Sequence, residues 1–330
     1  MIILFAWINP ASSAAPFTEI RMGFFPNITH AQALYAKNKR SFENATKMQI
    51  KWTSFNAGPT AVEALFTDAI DLTFIGPSPT INGYVRSRGE KFVIIAGAAS
   101  GGAALVIRGD AAIHSEKDFG GMTIATPQLG NTQDIAAREW FSEHHYKLTE
   151  KGGNLNLIAL SNADQLTTMK KKQIDGAWTI EPWVSRLEVQ LGARVFLEEK
   201  DLWPEGHYVT TQLVVRKAFL ADHPELIRNL LRTHVQITRK INDDKPAAAI
   251  VLNDQLKKET GKELSKEVIT KSMARVEFTW DPYPETLKKS AEAAHKVGFL
   301  RKQPEIDGIY ALEALNEVLQ QMSLPSLEKK

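Results

Sequence analysis

Cysteine is absent from the 330-residue sequence. Its absence excludes disulfide bonds, thiolate catalysis, iron–sulfur clusters and cysteine-ligated zinc, and we expect no lipid anchor attached through cysteine. It does not by itself identify a compartment, because cytosolic and exported proteins can both dispense with cysteine.

An excess of one charge is also missing. The sequence has 40 Lys and Arg residues against 38 Asp and Glu residues, a formal net charge of +2, and 43% of its residues are hydrophobic. This balance is typical of a compact soluble protein and indicates neither disorder nor a general nucleic-acid surface. The length is enough for two domains.

Long hydrophobic runs are rare. The run from Phe92 to Ile107 is shorter than the ~20 residues of a membrane-spanning helix, and glycines interrupt it. Residues 2–8 are apolar and are followed by a small-residue stretch, which predicts a signal peptide over residues 1–15 with cleavage after Ala14 or Ala15. No Lys or Arg precedes the run, so a buried first strand is the alternative.

Short apolar runs rich in β-branched residues alternate with segments of helical period, which indicates an α/β fold. The candidate strands are Ile20–Phe24, Ile50–Phe55, Leu72–Ile75, Phe92–Ala96, Leu105–Arg108, Thr123–Ala125, Leu155–Leu160, Ala177–Ile180, Val195–Leu197 and Leu213–Val215. They fit two open sheets. The last third is predicted to be helical, at 224–241, 246–258, 265–275, 284–297 and 306–321, with His234 in the core.

Catalytic signatures are missing as well. The sequence has no nucleophile elbow, no HExxH pair, no Walker A loop and no GxGxxG fingerprint. The adjacent pair His144 and His145 would point to different sides of a helix, which does not suit a metal site. We predict no catalytic residue, no cofactor and no metal.

The loops after the predicted strands carry the polar candidates. In open α/β sheets, ligands bind beyond the carboxyl ends of the strands, where helix N-termini offer free N–H groups. The first three such loops hold Asn27, Thr29 and His30, then Asn56 and Gly58, then Ser78. Thr29 and Gln32 have capping-box spacing, so Thr29 could equally serve only as a helix cap.

The second half supplies Gln128, Asn131 and Thr132 in a loop without a basic residue. Neutral donors and helix termini suit one singly charged anion. Trp178 and Glu181 follow at the next strand end and are candidate walls of the site. Because a carboxylate beside an anion costs energy, either Glu181 is structural or the ligand also carries a positive charge.

Several of these segments together resemble a known family. They are GFFPNITHAQAL (Gly23 to Leu34), NAGPTAVEALFTDAIDLTFIGPSPTINGY (Asn56 to Tyr84), AGAASGGAALVIRG (Ala96 to Gly109), and TIATPQLGNTQD (Thr123 to Asp134) with IDGAWTIEPW (Ile174 to Trp183). The chain resembles the nitrate, sulfonate and taurine group of ABC-transporter solute-binding proteins, which has the type II periplasmic binding fold.

The resemblance implies two lobes, each an open mixed sheet flanked by helices, with a helical C-terminal segment. Lobe I would comprise residues 16–104 and 213–330, lobe II residues 105–212, with hinge crossovers near 101–105 and 210–213. The implied ligand cleft is lined by Asn27, Thr29, His30, Asn56, Gly58, Ser78, Ser100, Gly101, Gln128, Asn131, Thr132, Trp178 and Glu181.

The implied function is capture of a small organic anion for an ABC importer. An aliphatic sulfonate is the favoured ligand, and taurine, nitrate or a thiamine pyrimidine are the alternatives. The partners would be the permease subunits with their cytoplasmic ATPase, and we expect a monomer free in the periplasm. An enzyme similar to thiamine-pyrimidine synthases is the less favoured interpretation, because their cysteine-rich motif is absent.

Overall fold

The computed structural model describes residues 18–327. The predicted signal peptide therefore lies outside the described residues. The strands are β1 (Glu19–Phe24), β2 (Gln49–Ser54), β3 (Leu72–Ile75), β4 (Phe92–Gly101), β5 (Ala103–Ile107), β6 (Thr123–Thr126), β7 (Asn156–Ala159), β8 (Gly176–Ile180), β9 (Arg194–Glu198), β10 (Val209–Arg216) and β11 (Val276–Phe278).

The strands form two open sheets, ordered β11-β4-β10-β3-β1-β2 and β7-β6-β8-β5-β9. Both sheets are mixed. In the larger one, β1 runs parallel to β2 and β3, whereas β10 runs antiparallel to β3 and β4. In the smaller one, β6 is parallel to β7 and β8, and β5 is antiparallel to β8 and β9. The predicted fold class is confirmed.

Helices cover both sheets. They are α1 (Ala31–Lys39), α2 (Ser41–Thr46), α3 (Gly58–Phe66), α4 (Pro77–Arg86), α5 (Thr132–Glu143), α6 (Asn162–Lys170), α7 (Trp183–Leu191), α8 (Lys217–Asp222), α9 (Pro224–Asp243), α10 (Lys245–Thr260), α11 (Lys266–Arg275), α12 (Pro284–Lys296) and α13 (Glu313–Gln321). Lobe I here denotes the six-stranded sheet with the helices packed on it. Lobe II denotes the five-stranded sheet with α5, α6 and α7.

Apolar cores lie on the faces of each sheet. In lobe I, all ten residues of β4 are buried, because helices cover the sheet on both sides. In lobe II, one core packs under α5 and another under α6 and α7. His234 is fully buried in lobe I and bonds the Gly97 carbonyl through Nε2 at 2.8 Å, as a core histidine should.

Several predicted boundaries and one strand differ from the structure; β4, for example, ends at Gly101 and not at Ala96. The last helix begins at Glu313 and not at 306, because Ile309 and Ala311 bond the backbone of Ile94 in β4 instead of forming helix. β10 begins at Val209, ahead of the predicted Leu213. β11, which pairs with the end of β4, was not predicted, since three residues between a helix and a loop carry little sequence pattern.

The chain crosses between the sheets twice. It leaves β4 for β5 through Gly102, and it returns from β9 to β10 through residues 199–208, which include two short 3-10 turns. Gly101 and Gly102 have φ values of +74° and +80°, a conformation that favours glycine. Residues 210–213, where the resemblance implies the second crossover, lie inside β10.

Candidate functional site

A cavity of about 30 Å³ lies between the two lobes, at the ends of their parallel strands. Its lining combines residues of both lobes. Lobe I contributes Phe25, Asn27, His30, Asn56, Ala57, Gly58, Gly76, Pro79, Thr210 and Thr211, and lobe II contributes Pro127, Asn131, Thr132, Gln133, Asn162 and Ile180. None of these side chains is Lys, Arg, Asp or Glu.

Three helices begin at this cavity. The residues that precede α3, α4 and α5 are Ala57, Gly76 and Asn131, and all three line the cavity. No side chain caps α3 or α4, whereas Asn131 Oδ1 accepts from the Asp134 N–H at 2.8 Å. Because proline has no N–H, the donors in these two first turns are the N–H groups of Gly58 and Thr60 in α3 and of Ser78 and Thr80 in α4. The positive ends of three helix dipoles therefore converge on one small volume, which favours an anion.

His30 supplies a neutral donor. Its Nδ1 accepts a hydrogen bond from the Phe25 N–H at 3.3 Å, which assigns the proton to Nε2. The ring is fully buried and packs against Phe25 at a centroid distance of 4.5 Å. Burial lowers the pKa of His30 to about 3, so the imidazole is uncharged at neutral pH.

Further donors come from two amides and a hydroxyl. Asn27 Oδ1 accepts from Trp183 Nε1 at 3.1 Å, and Asn162 Oδ1 accepts from Thr179 Oγ1 at 3.1 Å. Both amide nitrogens therefore remain free to donate. Thr211 Oγ1 is buried and has no hydrogen-bond partner among residues 18–327. All of these donors are neutral.

Gly76 of lobe I faces Thr132 of lobe II across the cavity. A Cβ atom on this residue would lie 2.5 Å from Thr132 Oγ1 across the cavity and 3.4 Å from the Thr210 carbonyl. The backbone of Gly76 is extended, with a φ of −76° that any residue can adopt. Glycine is thus suited to the contact between the lobes and is not needed for the turn itself.

The predicted residues divide between the cavity and its surroundings. Asn27, His30, Asn56, Gly58, Asn131 and Thr132 line the cavity. Thr29, Ser78, Ser100, Gly101 and Gln128 do not line it: Thr29 packs towards Gly102, Ser78 is buried in the first turn of α4, and Ser100 Oγ accepts from the Tyr208 N–H at 3.2 Å. Gly101 is in the crossover, and Gln128 lies in the loop before α5.

Trp178 and Glu181 are corrections to the predicted lining. Trp178 is fully buried in the core of lobe II, where its Nε1 donates to Glu199 Oε2 at 2.6 Å. Glu181 is also fully buried, and its carboxylate accepts from Ser185, Ser272 and Arg275 at 2.8, 2.9 and 3.0 Å. Of the two alternatives for Glu181, the structural one therefore fits.

The sequence analysis did not predict some of the residues that line the cavity. Asn162 begins α6 directly after β7, so the rule that selected the other strand-to-helix loops would have found it. Thr210 and Thr211 were missed because β10 was predicted to begin only at Leu213. Three consecutive polar residues, Thr210 to Gln212, are the available signal, since a fully buried strand rarely begins with them.

Comparison with known proteins identifies the family. The sequence profile of the NMT1-like family matches residues 13–253, which is more than half of the 330 residues. The chain belongs to the NMT1-like family. Two named relatives agree with the resemblance to the sulfonate and taurine group, which is thereby confirmed.

The first relative is a Bacillus subtilis (strain 168) protein named for the binding of aliphatic sulfonates, 24% identical over 65% of this chain and 62% of its own length. The second is the taurine-binding periplasmic protein of Escherichia coli (strain K12), 22% identical over 62% of this chain and 61% of its own length. The match thus spans less than two thirds of each relative.

Solved structures share the fold across nearly the whole chain. The alkanesulfonate-binding protein SsuA of Xanthomonas axonopodis pv. citri, bound to MOPS, has a TM-score of 0.75 at 17% identity and covers 91% of this chain and 100% of its own. The nitrate-binding protein NrtA of Synechocystis PCC 6803 has a TM-score of 0.75 at 15% identity, with 95% and 91% covered.

One structural neighbour is an enzyme. The desulfurization enzyme DszB, solved as a cysteine-to-serine variant with biphenyl-2-sulfinic acid, has a TM-score of 0.66 at 16% identity and covers 92% of this chain and 99% of its own. The fold therefore occurs in binding proteins and in at least one enzyme. Over residues 18–327, no helix is long and apolar enough to cross a membrane, and no three His, Asp or Glu side chains form a metal-binding group.

Proposed function

We propose that this protein is the solute-binding component of an ABC importer and that it captures a singly charged organic anion, with an aliphatic sulfonate as the favoured ligand. The observation that carries the proposal is the interlobe cavity. There, three helix N-termini and neutral donors converge without a charged side chain in the lining.

Because the lining contains no charged side chain, it suits a ligand with a single negative charge. Neutral dipoles stabilise a single negative charge, because each helix terminus contributes about 0.3–1 kcal/mol and more when partly buried. A second negative charge would have to be desolvated without a counter-ion, at a large cost. A sulfonate carries one negative charge over the whole physiological pH range, whereas a phosphonate becomes a dianion near neutral pH.

The ligand must enter a site that is closed in this structure. A cavity of about 30 Å³ corresponds to roughly the share of one water molecule in the liquid. A sulfonate with an organic tail therefore requires the lobes to move apart. We place the hinge at Gly102 and residues 199–208, and a ligand that contacts both lobes would favour the closed arrangement by its differential affinity for it.

Taurine is a second candidate because one relative is named for it. Its ammonium group would need an acceptor, and the cavity lining contains no carboxylate. Glu181, the carboxylate that the sequence analysis proposed for the site, already has Arg275 as its cation. These contacts favour sulfonates without an amino group. Nitrate and thiamine pyrimidines remain alternatives that the same experiment would detect.

The remaining parts of the proposal extend what the named relatives suggest. We propose a periplasmic monomer that delivers its ligand to a membrane permease with a cytoplasmic ATPase. We also propose a binding protein and not an enzyme, because the site offers neutral donors without a charged catalytic group, and the sequence has no thiol.

Thermal unfolding with candidate ligands tests the function. We expect ethanesulfonate, and butanesulfonate as a bulkier sulfonate, to raise the melting temperature, since a ligand at one hundred times its Kd adds about 2.7 kcal/mol to the free energy of unfolding. Ethylphosphonate at about pH 9.5 is the matched dianion and should give a much smaller shift than ethanesulfonate at the same pH. A shift with a thiamine pyrimidine or nitrate, and none with any sulfonate, would contradict the sulfonate proposal.

A further inference from the structure

Apart from the pair that His207 of the return crossover makes with Glu277 of lobe I, the ion pairs between the lobes all have the same polarity. In every other pair that joins lobe I to lobe II within the described residues, the cation belongs to lobe I and the carboxylate to lobe II. The pairs are Lys271 with Glu188, Arg275 with Glu181, Glu188 and Glu198, and Lys296 with Glu139 and Glu143. They lie in two patches, one between α11 and α7 and the other between α12 and α5.

Arg275 makes most of the contacts in the first patch. Its Nη1 lies 3.0 Å from Glu181 Oε1 and 2.7 Å from Glu188 Oε2, and its Nε lies 2.8 Å from Glu198 Oε1. Glu181 is completely buried, whereas the Arg275 side chain is 18% exposed. One guanidinium thus faces three carboxylates, and Lys271 adds a second positive charge at 3.2 Å from Glu188 Oε1.

This patch is connected to the ligand cavity through the backbone and one side chain. The Glu181 carbonyl accepts from the Ile28 N–H of lobe I at 3.1 Å. Two residues further along, Trp183 Nε1 donates to Asn27 Oδ1 at 3.1 Å, and Asn27 lines the cavity. The segment that carries Glu181 therefore contacts lobe I both at Arg275 and at Asn27, and the contact at Asn27 leaves its amide nitrogen free for a ligand.

We infer that Arg275, Glu181, Glu188 and Glu198 form an interlobe clasp that stabilises the closed arrangement of the lobes and thereby sets the affinity for the ligand. Arg275 is a positioning residue in this scheme, since it does not line the cavity. The predicted effect of the clasp on ligand affinity rests on the proposed function. The effect on closure stands on the contacts alone.

Arg275 is expected to control closure because three carboxylates of lobe II share its positive charge. When the lobes separate, water can solvate each charge. When they close, Glu181 loses its water, and burial raises its pKa. Removing Arg275 would leave buried carboxylates without their main counter-charge, an arrangement that costs much more than the pair itself contributes. The loss would fall on the arrangement in which α11 contacts α7.

Two labels can report closure directly, because the chain has no native cysteine. Lys117 of lobe II and Lys262 of lobe I are both exposed and suit the substitutions K117C and K262C. The distance between spin labels at these positions would be measured with and without ethanesulfonate, at low and high NaCl. Affinity for ethanesulfonate would be measured by calorimetry on the same proteins without labels.

We expect Arg275→Gln to increase the population with separated lobes and to weaken ethanesulfonate binding by about 5- to 150-fold, the usual range of a coupling between sites. High salt should open the wild type and have little further effect on R275Q, because the screened pairs are already absent. Arg275→Lys should restore part of both properties. Lys257→Gln removes an ion pair with Glu263 inside lobe I and should change neither.

Equal distance distributions and affinities in wild type and R275Q would overturn the clasp. If R275Q does not fold, Glu198→Gln tests the same inference at a residue whose side chain is 25% exposed, and wild-type behaviour of E198Q would then overturn it. The two proposals fail separately. A change in lobe separation without any sulfonate binding removes the proposed ligand alone, whereas full affinity in R275Q removes the clasp alone.

Discussion

At the scale of single residues, Thr211 is unusual because its hydroxyl is buried at the cavity without a partner among the described residues. A buried hydroxyl without a hydrogen bond costs about 1–3 kcal/mol. By contrast, Thr238 is buried in the core of the same lobe and its hydroxyl bonds the His234 carbonyl at 2.9 Å. The difference suits a hydroxyl that donates to a ligand.

We therefore predict that Thr211→Val weakens ligand binding without lowering the stability of the ligand-free protein. The variant keeps the shape of threonine, so the ligand-free protein should be as stable as wild type or slightly more stable. Binding of ethanesulfonate should weaken about tenfold, which corresponds to one lost hydrogen bond to a charged group. Thermal unfolding and calorimetry measure the two quantities. Thr238→Val should instead lower stability, and unchanged affinity in T211V would exclude the hydroxyl as a donor.

The structure places some of the residues predicted for the site at the cavity and others elsewhere. Asn27 and Asn131 were selected because they stand where strands lead into helices, and the structure places both at the cavity. Trp178 was misplaced because a strand end does not tell which face of the sheet a side chain covers. The partner of Glu181 was missed because Arg275 lies 94 residues further along the chain.

At the scale of secondary structure elements, the return crossover, residues 199–208, carries a buried acid. Glu199 is 1% exposed, its Oε2 accepts from Trp178 Nε1, and Glu139 of α5 adds negative charge nearby. Burial is the main cause that raises the pKa of Glu199 to about 7. In the unfolded chain the group would titrate near 4.5.

This shift predicts a pH-dependent effect of Glu199→Gln. The unfolded chain loses this proton above about pH 4.5, whereas the folded state holds it up to about pH 7. Glu199 therefore destabilises the fold increasingly between pH 4.5 and 7 and reaches its full cost above pH 7. Glutamine mimics the protonated acid. E199Q should therefore match the wild type at pH 4.5 and exceed it by up to about 3 kcal/mol at pH 8.

Denaturant unfolding at both pH values measures this difference. The exposed Glu305→Gln serves as a control and should show no such dependence. A constant difference between E199Q and wild type across this range would show that Glu199 is ionised in the folded protein.

Elements were predictable to different degrees. β3 was predicted at Leu72 to Ile75, as found, because a short apolar run is bounded by clear turn signals. The start of α13 was wrong because residues 309–311 bond β4, a tertiary contact that overrides their helical period. Local pattern therefore located the elements, while long-range pairing decided where they begin.

At the scale of the whole molecule, the lobes meet where Gly76 faces Thr132. An added Cβ would lie 2.5 Å from Thr132 Oγ1, which is closer than real Cβ contacts. The same atom would meet no obstacle within the turn, since the φ of −76° is open to alanine. A methyl group at this position thus affects the contact between lobes and leaves each lobe intact.

We predict that Gly76→Ala holds the lobes slightly apart. Overpacking of this kind costs about 1–3 kcal/mol, so ligand affinity should fall by roughly tenfold while the melting temperature of the ligand-free protein changes little. The distance between labels at K117C and K262C measures the separation. Adding Thr132→Ala should restore closure, with T132A alone as the control. A wild-type distance in G76A would show that the threonine side chain rotates away.

The position of β10 also sets an order of assembly during synthesis. All five strands of lobe II lie in one continuous stretch, from Ala103 to Glu198. In the other sheet, β10 lies between β4 and β3, which do not pair with each other. A chain made from its N-terminus can complete lobe II first, while lobe I lacks its central strand until residue 216 has been added. Synthesis of lobe I therefore begins first, but its sheet is completed after that of lobe II. For most of its synthesis, the nascent chain carries an incomplete lobe I sheet.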